Sequence, residues 1–260
     1  MTTYNSFIFE GHGTSEVDGS YDPGATSQGS RENDLADAIV AAARAELQSN
    51  PKTKHLSIHY DEQNYIDNDT TGNTYTSKSG ISVHINAGGG VGPEIWVPCK
   101  ESYLGADFTI VANIAGILGT PNRGVKSRDY DSENSFQRTN GVKLGYKDYY
   151  KEIRQAWEKG FSLSILEVGF IDSSDLAKIK SKIKEIGFEV ARYIAIANDI
   201  ELTKYVAPPT TPTPTPKPPT PTSEKLYRVC VGSYKDKNNA INAVEQAKAK
   251  GYPTAFIHEC

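Results

Sequence analysis

Cysteine is scarce in this chain, which has three in 260 residues. Cys99, Cys230 and Cys260 are far apart and odd in number, unlike the regular framework of a small disulfide-stabilised domain. None of them belongs to a CxxC pair of the type that binds zinc. The cysteine content therefore indicates ordinary thiols in a reducing compartment, and a metal site would have to draw on other residue types.

Long hydrophobic runs are also lacking. No apolar stretch approaches the roughly 20 residues that a membrane-spanning helix requires. The N-terminal sequence MTTYNSFIFEGHG has neither the basic start nor the long apolar stretch of an export signal. We therefore expect synthesis in the cytoplasm without a signal peptide, and no insertion into a membrane.

Basic residues are in deficit, with 28 Lys and Arg against 32 Asp and Glu. The acidic excess belongs to residues 1–206, because residues 207–222 and 223–260 each carry more basic than acidic side chains. Nucleic acid is a polyanion and attracts basic surfaces, so an acidic main domain argues against nucleic acid as a partner.

Proline is concentrated in residues 207–222, which read APPTTPTPTPKPPTPT. Alternating proline and threonine favour an extended polyproline conformation with few backbone donors. At about 3.1 Å per residue, this segment could separate two modules by up to roughly 50 Å. We therefore predict a main domain at 1–206, a linker at 207–222 and a small module at 223–260.

The main domain alternates short apolar strands with helical patterns, which predicts an α/β fold with an open, mainly parallel, twisted sheet flanked by helices. The predicted strands are 4–9, 56–60, 81–85 and 163–167, and the predicted helices are 31–47, 103–118, 149–159 and 175–197. Ser30 is the predicted cap of the first helix. Residues 127–145 are polar and aperiodic, which indicates an inserted surface loop.

The module after the linker has a shorter pattern. A strand at 226–231, a helix at 239–250 and a strand at 254–258 predict one small β-α-β unit. Such a unit is small for a domain that folds by itself.

Two histidines stand at the ends of predicted strands. His12 follows the first strand between two glycines, and His84 closes the strand that begins at residue 81. Both therefore fall at the carboxyl edge of the sheet, where open α/β folds bind their ligands. Taken alone, His84 is equally well interpreted as a hydrogen-bonded interior histidine.

Two glutamates accompany these histidines. Glu32 lies in the first turn of the first helix, on the same face as Leu35 and Ile39. A glutamate that merely favours the positive end of the helix dipole is the alternative interpretation. Glu167 ends an apolar strand, where a carboxylate points to the same sheet edge, and a surface turn residue is its alternative.

Two histidines and one glutamate are a common ligand set of catalytic zinc, with a fourth position open for water. A second carboxylate nearby can take a proton from that water and pass it to a leaving nitrogen. The separations of 20 and 52 residues between the three residues match no short metal motif. The spacing alone therefore leaves both the structural and the catalytic interpretation open.

The motifs, taken in order, resemble the zinc-dependent N-acetylmuramoyl-L-alanine amidases of the amidase 3 type over about residues 3–200. They are GHG at 11–13, DPGA at 22–25, Glu32, SVHINA at 82–87, NRGVK at 122–126 and ILEVGFI at 165–171. The resemblance implies that His12, Glu32 and His84 bind Zn²⁺ and that Glu167 is catalytic. It also implies that the substrate is peptidoglycan, cleaved between N-acetylmuramic acid and the L-alanine of the stem peptide.

Three further residues are expected to bind the substrate. Arg123 and Lys126 are expected to contact its carboxylates, and Asn86 is the third candidate. This family usually opens with DPGHGG, whereas this chain has EGHGT at 10–14 and reaches its DPGA later. The difference predicts an altered rim around the site.

Residues 223–260 resemble the first half of a sporulation-related (SPOR) repeat, a peptidoglycan-binding module. The resemblance predicts binding to the cell wall, with self-association through this half as an alternative, since a whole module has two halves. A phage endolysin released through holin-made holes and an autolysin freed by cell lysis both fit a wall enzyme without a signal peptide. Two other functions stay open: a non-catalytic wall-binding protein, and a zinc carboxypeptidase or endopeptidase of the stem peptide.

Overall fold

The computed structural model describes residues 3–14, 19–61, 74–77, 79–203 and 237–249. The chain divides into two compact units, Met1–Ala207 and Pro208–Cys260. The predicted linker at 207–222 and the predicted strands at 226–231 and 254–258 lie outside the described residues, so the domain boundaries stay a prediction. In the second unit, the described residues form the helix Lys237–Ala249.

Six strands precede the first helix, and the later helices are interspersed among the remaining strands or follow them. The strands are β1 (Thr3–Tyr4), β2 (Ser6–Glu10), β3 (Gly13–Thr14), β4 (Tyr21–Asp22), β5 (Thr26–Ser27), β6 (Ser30–Arg31), β7 (Ile58–Asp61), β8 (Thr74–Tyr75), β9 (Ser79–Asn86), β10 (Glu94–Trp96), β11 (Val125–Arg128), β12 (Ser135–Gln137) and β13 (Ser162–Phe170). The helices are α1 (Glu32–Ser49), α2 (Gly105–Leu118), α3 (Lys151–Glu158), α4 (Asp175–Ser181), α5 (Ile183–Ala197) and α6 (Lys237–Ala249).

Seven of the strands form one sheet in the order β12-β11-β10-β13-β9-β2-β7. The neighbours β7, β2, β9 and β13 are parallel to one another, and β11 is parallel to β10. Within this sheet, β10 against β13 and β12 against β11 are antiparallel. The prediction of an α/β fold with an open, mainly parallel sheet is therefore confirmed.

Alternation along the strands gives the sheet two different faces. Val83 of β9 belongs to the main core, which contains buried residues of α1, α2, α4 and α5. Ser82 and His84 alternate with it and point to the opposite face. This second face is covered by α3, whose Ala156 and Ile153 pack in two smaller apolar clusters. The candidate catalytic side chains of β9 and β13 therefore share a face with α3.

The prediction of one long helix over 175–197 is wrong, because α4 and α5 are separate helices. Lys182 between them has φ −123° and ψ 16°, outside the helical region. Asp175 holds α4 at the end of β13, since its carboxylate accepts hydrogen bonds from the backbone N–H groups of Gly92 and Phe170. α5 packs along α1 instead. The apolar periodicity continues across the break, so no residue of the sequence marks it.

Ser30 does not cap the first helix as predicted. Arg31 is the N-cap residue and makes no side-chain cap hydrogen bond. The first amides of α1 donate instead to the loop before it: Glu32 N–H to the carbonyl of Ala25 and Asn33 N–H to that of Pro23. Backbone carbonyls here replace the usual side-chain cap.

The prediction of a surface loop at 127–145 is only partly right. Ser135–Gln137 forms β12, which extends the sheet beside β11. The side chain of Arg138 is buried, and its guanidinium donates to the carbonyls of Pro98, Glu101 and Val142. These hydrogen bonds offset the loss of hydration, so a polar sequence forms part of the folded body.

Over residues 3–14, 19–61, 74–77, 79–203 and 237–249, no helix has the length and apolar character needed to cross a bilayer.

A buried carboxylate lies at the start of α2, away from the candidate site. Asp107 accepts hydrogen bonds from Ser164 of β13 and Tyr193 of α5. Burial raises the pKa of Asp107 from 3.8 to about 6, although both hydrogen bonds oppose the rise. The protonated carboxyl is therefore favoured by folding, and its contribution to stability is complete below pH 4 and is lost as the pH rises through 6.

We expect an Asp107→Asn variant to be less sensitive to this pH change, since asparagine keeps an oxygen acceptor and cannot ionise. Between pH 4 and pH 7, the free energy of unfolding should fall by about 2 kcal/mol more in the wild type than in the variant. Urea unfolding at several pH values measures this difference. Parallel pH curves for the two proteins would contradict the assignment.

Candidate active site

Three polar residues form a row across the neighbouring central strands β10, β13 and β9, at the end of the sheet where β9 and β13 finish. Glu94 of β10 is the register partner of Glu167 of β13, and Glu167 is the partner of His84 of β9. Residues opposite one another in paired strands point to the same face. This row lies on the face covered by α3, at the carboxyl ends of β9 and β13.

His12 and Glu32 complete the site from the neighbouring loop and helix. His12 follows β2 with a left-handed backbone, φ 68°, which is uncommon for a residue other than glycine. Glu32 is the first residue of α1 and is buried. Its Oε2 lies 3.3 Å from His12 Nε2, and its Oε1 lies 3.0 Å from His84 Nδ1. One ligand atom from each residue lies within 4.8 Å of the other two.

Each histidine ring also has a partner on its outer nitrogen. His12 Nδ1 lies 2.8 Å from Asp22 Oδ2, and the other oxygen of Asp22 accepts the backbone N–H of Gly24. His84 Nε2 lies 3.1 Å from Ser82 Oγ and 3.7 Å from Glu152 Oε1 of α3. The two rings are thus held from outside the cluster as well as from within.

Two glycines, Gly11 and Gly24, lie against the cluster, and neither position has room for a side chain. A Cβ atom on Gly11 would lie 2.5 Å from Nδ1 of His84. A Cβ atom on Gly24 would lie 2.6 Å from the ring of His12 and 2.7 Å from Oε2 of Glu32, and Gly24 has a positive φ of 66°. Both positions require glycine because the three side chains converge over the backbone.

The protonation of the cluster reflects one carboxylate between two imidazoles. Burial acts to raise the pKa of Glu32, but the hydrogen bonds with His12 and His84 hold it well below its usual range. Burial acts to lower the pKa of His84, but Glu32, Glu152 and Glu167 together raise it to about 9. The hydrogen bond with Glu32 raises the pKa of His12 as well. The site therefore attracts positive charge.

The three residues have the donor chemistry of a cation site. Two imidazole nitrogens and one carboxylate are the ligands that catalytic zinc sites use. Hydrogen-bond partners on the outer nitrogen of both rings, Asp22 for His12 and Ser82 for His84, are also typical of histidines that bind metals. His12, Glu32 and His84 therefore fit a zinc ion, and a bound cation would take the place of the protons that the imidazoles attract.

Glu167 lies beside this cluster and differs from the other carboxylates. Its side chain is partly buried, and its Oε2 has no hydrogen-bond partner among the described residues. Burial raises the pKa of Glu167 to about 7; the nearby acids add to the rise, and His84 opposes it. This carboxyl can therefore accept or release a proton near neutral pH, as a general base or acid must.

The structure brings the three predicted substrate-binding residues together around Glu94. Arg123 Nε and Lys126 Nζ each donate to Glu94 Oε2 at 2.6 Å, and Asn86 Nδ2 donates to Oε1 at 3.3 Å. The guanidinium of Arg123 also lies over the ring of Phe170. Two basic side chains against one carboxylate leave a net positive group next to Glu167.

Sequence reasoning did not single out Glu94 or Glu152. Glu94 precedes Ile95 and Trp96 in a short buried strand, and Glu152 precedes Ile153 in the first turn of a helix. The signal was the one that identified Glu32, namely a carboxylate placed among apolar neighbours. Such an acid needs a partner when it is buried.

Together, the fold and the cluster define an α/β protein with a candidate metal centre at the carboxyl ends of its parallel strands. Residues 7–198 match the family described as N-acetylmuramoyl-L-alanine amidase. The match covers most of the chain, and the chain belongs to this amidase family.

The chain is also similar to individual proteins. The sporulation-specific N-acetylmuramoyl-L-alanine amidase of Bacillus subtilis (strain 168) is 27% identical over 257 residues, which cover 96% of this chain and 83% of the relative. Cwp6 from Clostridium difficile has a similar fold, with a TM-score of 0.53 and 21% identity over 75% of this chain. This chain covers only 29% of Cwp6. The amidase AmiC2 of Nostoc punctiforme aligns over 75% of this chain and 97% of its own, with 15% identity and a TM-score of 0.47.

Proposed function

We propose that this chain hydrolyses the amide bond between N-acetylmuramic acid and the L-alanine of the stem peptide in peptidoglycan, with zinc as its cofactor. The observation that carries the proposal is the convergence of His12, Glu32 and His84, whose ligand atoms lie within 4.8 Å of one another in a chain of the amidase family. Glu167 stands next to them with a pKa raised to about 7.

In this proposal, His12, Glu32 and His84 hold the zinc ion. Bound zinc supplies a Lewis acid that polarises a carbonyl and makes hydroxide available near neutral pH. The buried carboxylate of Glu32 provides the negative charge, and its backbone hydrogen bonds from Ala25 and Ile85 keep both its oxygens in place. The ligand atoms are therefore arranged before any cation binds.

Glu167 acts as the general base and then as the general acid in this reaction. Its carboxylate accepts a proton from the attacking water at an oxygen and returns it to the nitrogen that leaves as the new amino terminus of L-alanine. One group can do both because its pKa lies near the pH at which it works.

Glu94 positions the residues that meet the substrate. Its two oxygens hold Asn86, Arg123 and Lys126. Arg123 is partly exposed, and this supports a role in contacting a carboxylate of the stem peptide. A guanidinium held at one nitrogen and stacked on Phe170 loses little freedom when it binds, because it is already oriented.

We expect hydrolysis of cell walls by this chain to depend on zinc and to yield new L-alanine amino termini. A chelator should abolish the release, and added zinc should restore it, because zinc supplies the activated water. Amino-terminal analysis of digested peptidoglycan is the measurement, with reducing-sugar ends assayed on the same digest.

The same digest separates the alternatives. Amino termini of other stem-peptide residues would indicate a carboxypeptidase or an endopeptidase. Binding to the wall without any new termini would indicate a non-catalytic wall-binding protein. New reducing ends in place of amino termini would contradict amide hydrolysis.

The small module is proposed to attach the enzyme to the wall. Residues 223–260 resemble half of a SPOR repeat, and the predicted linker 207–222 would let this half bind peptidoglycan while the main domain cleaves it. The alignment with the Bacillus subtilis relative covers 96% of the chain, which supports a shared architecture beyond the main domain. Self-association through this half stays the alternative.

The relative's description also bears on where the enzyme works. The Bacillus subtilis protein is described as sporulation-specific. Of the two release routes, this favours an autolysin that reaches the wall when its own cell lyses over a phage endolysin. The proposed site of action is the cell wall after release.

A further inference from the structure

We propose that Glu152 is a positioning residue of the metal centre, which together with Ser82 holds the outer nitrogen of His84 so that the inner nitrogen faces the cation. The inference rests on the zinc site of the proposed function and adds a residue outside its ligand set. Glu152 belongs to α3, whereas the ligands come from the loop after β2, from α1 and from β9.

The contacts of His84 assign different tasks to its two ring nitrogens. Nδ1 lies 3.0 Å from Glu32 Oε1, inside the cluster. Nε2 lies 3.1 Å from Ser82 Oγ and 3.7 Å from Glu152 Oε1, on the side of α3. A neutral imidazole carries its proton on one nitrogen and a lone pair on the other. When a cation lies on the Nδ1 side, the lone pair of Nδ1 faces it and the ring proton is on Nε2, where the Ser82 hydroxyl accepts it and the Glu152 carboxylate lies nearby.

His12 shows the same arrangement with the nitrogens exchanged. Its Nε2 faces Glu32 at 3.3 Å, and its Nδ1 faces the carboxylate of Asp22 at 2.8 Å. Each ligand histidine therefore lies between the shared carboxylate of Glu32 and a second carboxylate outside the cluster. A carboxylate on the outer nitrogen fixes the ring and makes the inner nitrogen a stronger ligand.

A purely structural role for Glu152 would explain its position in the helix but not its burial beside His84. Acids are favoured in the first turn of a helix by the helix dipole, and Glu152 occupies such a position. That effect does not require burial, yet Glu152 is only 8% exposed and shares its surroundings with Glu167 and His84. Two acids brought together away from water repel each other unless a cation lies between them. His84 and the cation it binds supply that charge.

Zinc affinity tests the inference without reference to catalysis. Competition with a chromophoric chelator should show that Glu152→Ala binds zinc about 10–100-fold more weakly than the wild type. Glu152→Gln should lose less, because it keeps a polar oxygen near Nε2 and the size of the side chain, although it carries no charge. Glu158→Ala is the matched control, since Glu158 is an exposed acid of the same helix, and it should bind zinc like the wild type.

Two further measurements separate positioning from folding. Thermal unfolding of the zinc-free variants shows whether Glu152→Ala retains its structure, and Glu152→Gln carries the test if it does not. Nitrogen-15 NMR of the zinc-loaded wild type should find the proton of His84 on Nε2. A proton on Nδ1, or unchanged zinc affinity in both Glu152 variants, would overturn the inference alone. A wild-type chain that binds no zinc would overturn the proposed function together with it.

Discussion

Replacing Glu167 with glutamine should lower kcat by on the order of 10³-fold while the affinity for zinc changes little. General acid–base catalysis contributes roughly 10²–10⁴-fold, and glutamine cannot accept the proton of the attacking water. The substitution keeps the size of the side chain and leaves His12, Glu32 and His84 unaltered. It therefore removes proton transfer while the metal ligands stay in place.

The measurement is the rate of appearance of L-alanine amino termini from purified cell walls, with zinc content determined on the same samples. Glu133→Gln is a suitable control, because Glu133 is an exposed acid on the segment before β12. A Glu167→Gln enzyme with the kcat of the wild type would refute the proposed role. Loss of zinc together with activity would instead assign Glu167 to the ligand set.

Replacing Glu32 with alanine should have the largest effect on the metal centre. Glu32 bridges both histidines, and its two oxygens also accept the backbone N–H groups of Ala25 and Ile85. Its loss removes one ligand and leaves His84 without the carboxylate that faces its inner nitrogen. We expect zinc affinity to fall well beyond the roughly 10–100-fold that the loss of an outer hydrogen-bond partner costs, and hydrolysis to become undetectable.

Metal content by mass spectrometry and chelator competition measure this effect. Asp34→Ala is the matched control, since Asp34 is an exposed acid in the same first turn of α1 and pairs with Arg31. Both variants lose an acid from the helix start, so a loss of zinc in Glu32→Ala alone reflects ligation. A Glu32→Ala protein that keeps its zinc and its activity would rule out the proposed centre.

The site residues that could be named from the sequence share one property: each has a local pattern that fixes its direction. His12 and His84 follow strands whose alternation is evident, and a parallel sheet brings such strand ends to one edge. Glu32 lies on the apolar face of a helix with clear periodicity. The structure brings these three together because each element presents them in the direction that its own periodicity sets.

Glu152 and Glu94 have weaker local signals, and their roles depend on contacts between distant segments. Glu152 follows His84 by 68 positions in the chain, and it reaches His84 only because α3 covers one face of the sheet. Glu94 holds Arg123 and Lys126 because β10 and β11 are neighbours in the sheet. No periodicity within either segment encodes which partner it meets.

The same distinction holds for the fold. By itself, the sequence determined the α/β class and the approximate positions of most strands and helices, because strand and helix periodicities are properties of short segments. Its ordered amidase-like motifs also named His12, Glu32, His84 and Glu167 as the candidate centre, which stays a prediction. Only the tertiary structure decided the break at Lys182, the capping of α1 by loop carbonyls, the added strand β12 and the outer partners of the two histidines. These features depend on hydrogen bonds and charges between segments that meet only after folding, so their energies are absent from any local pattern.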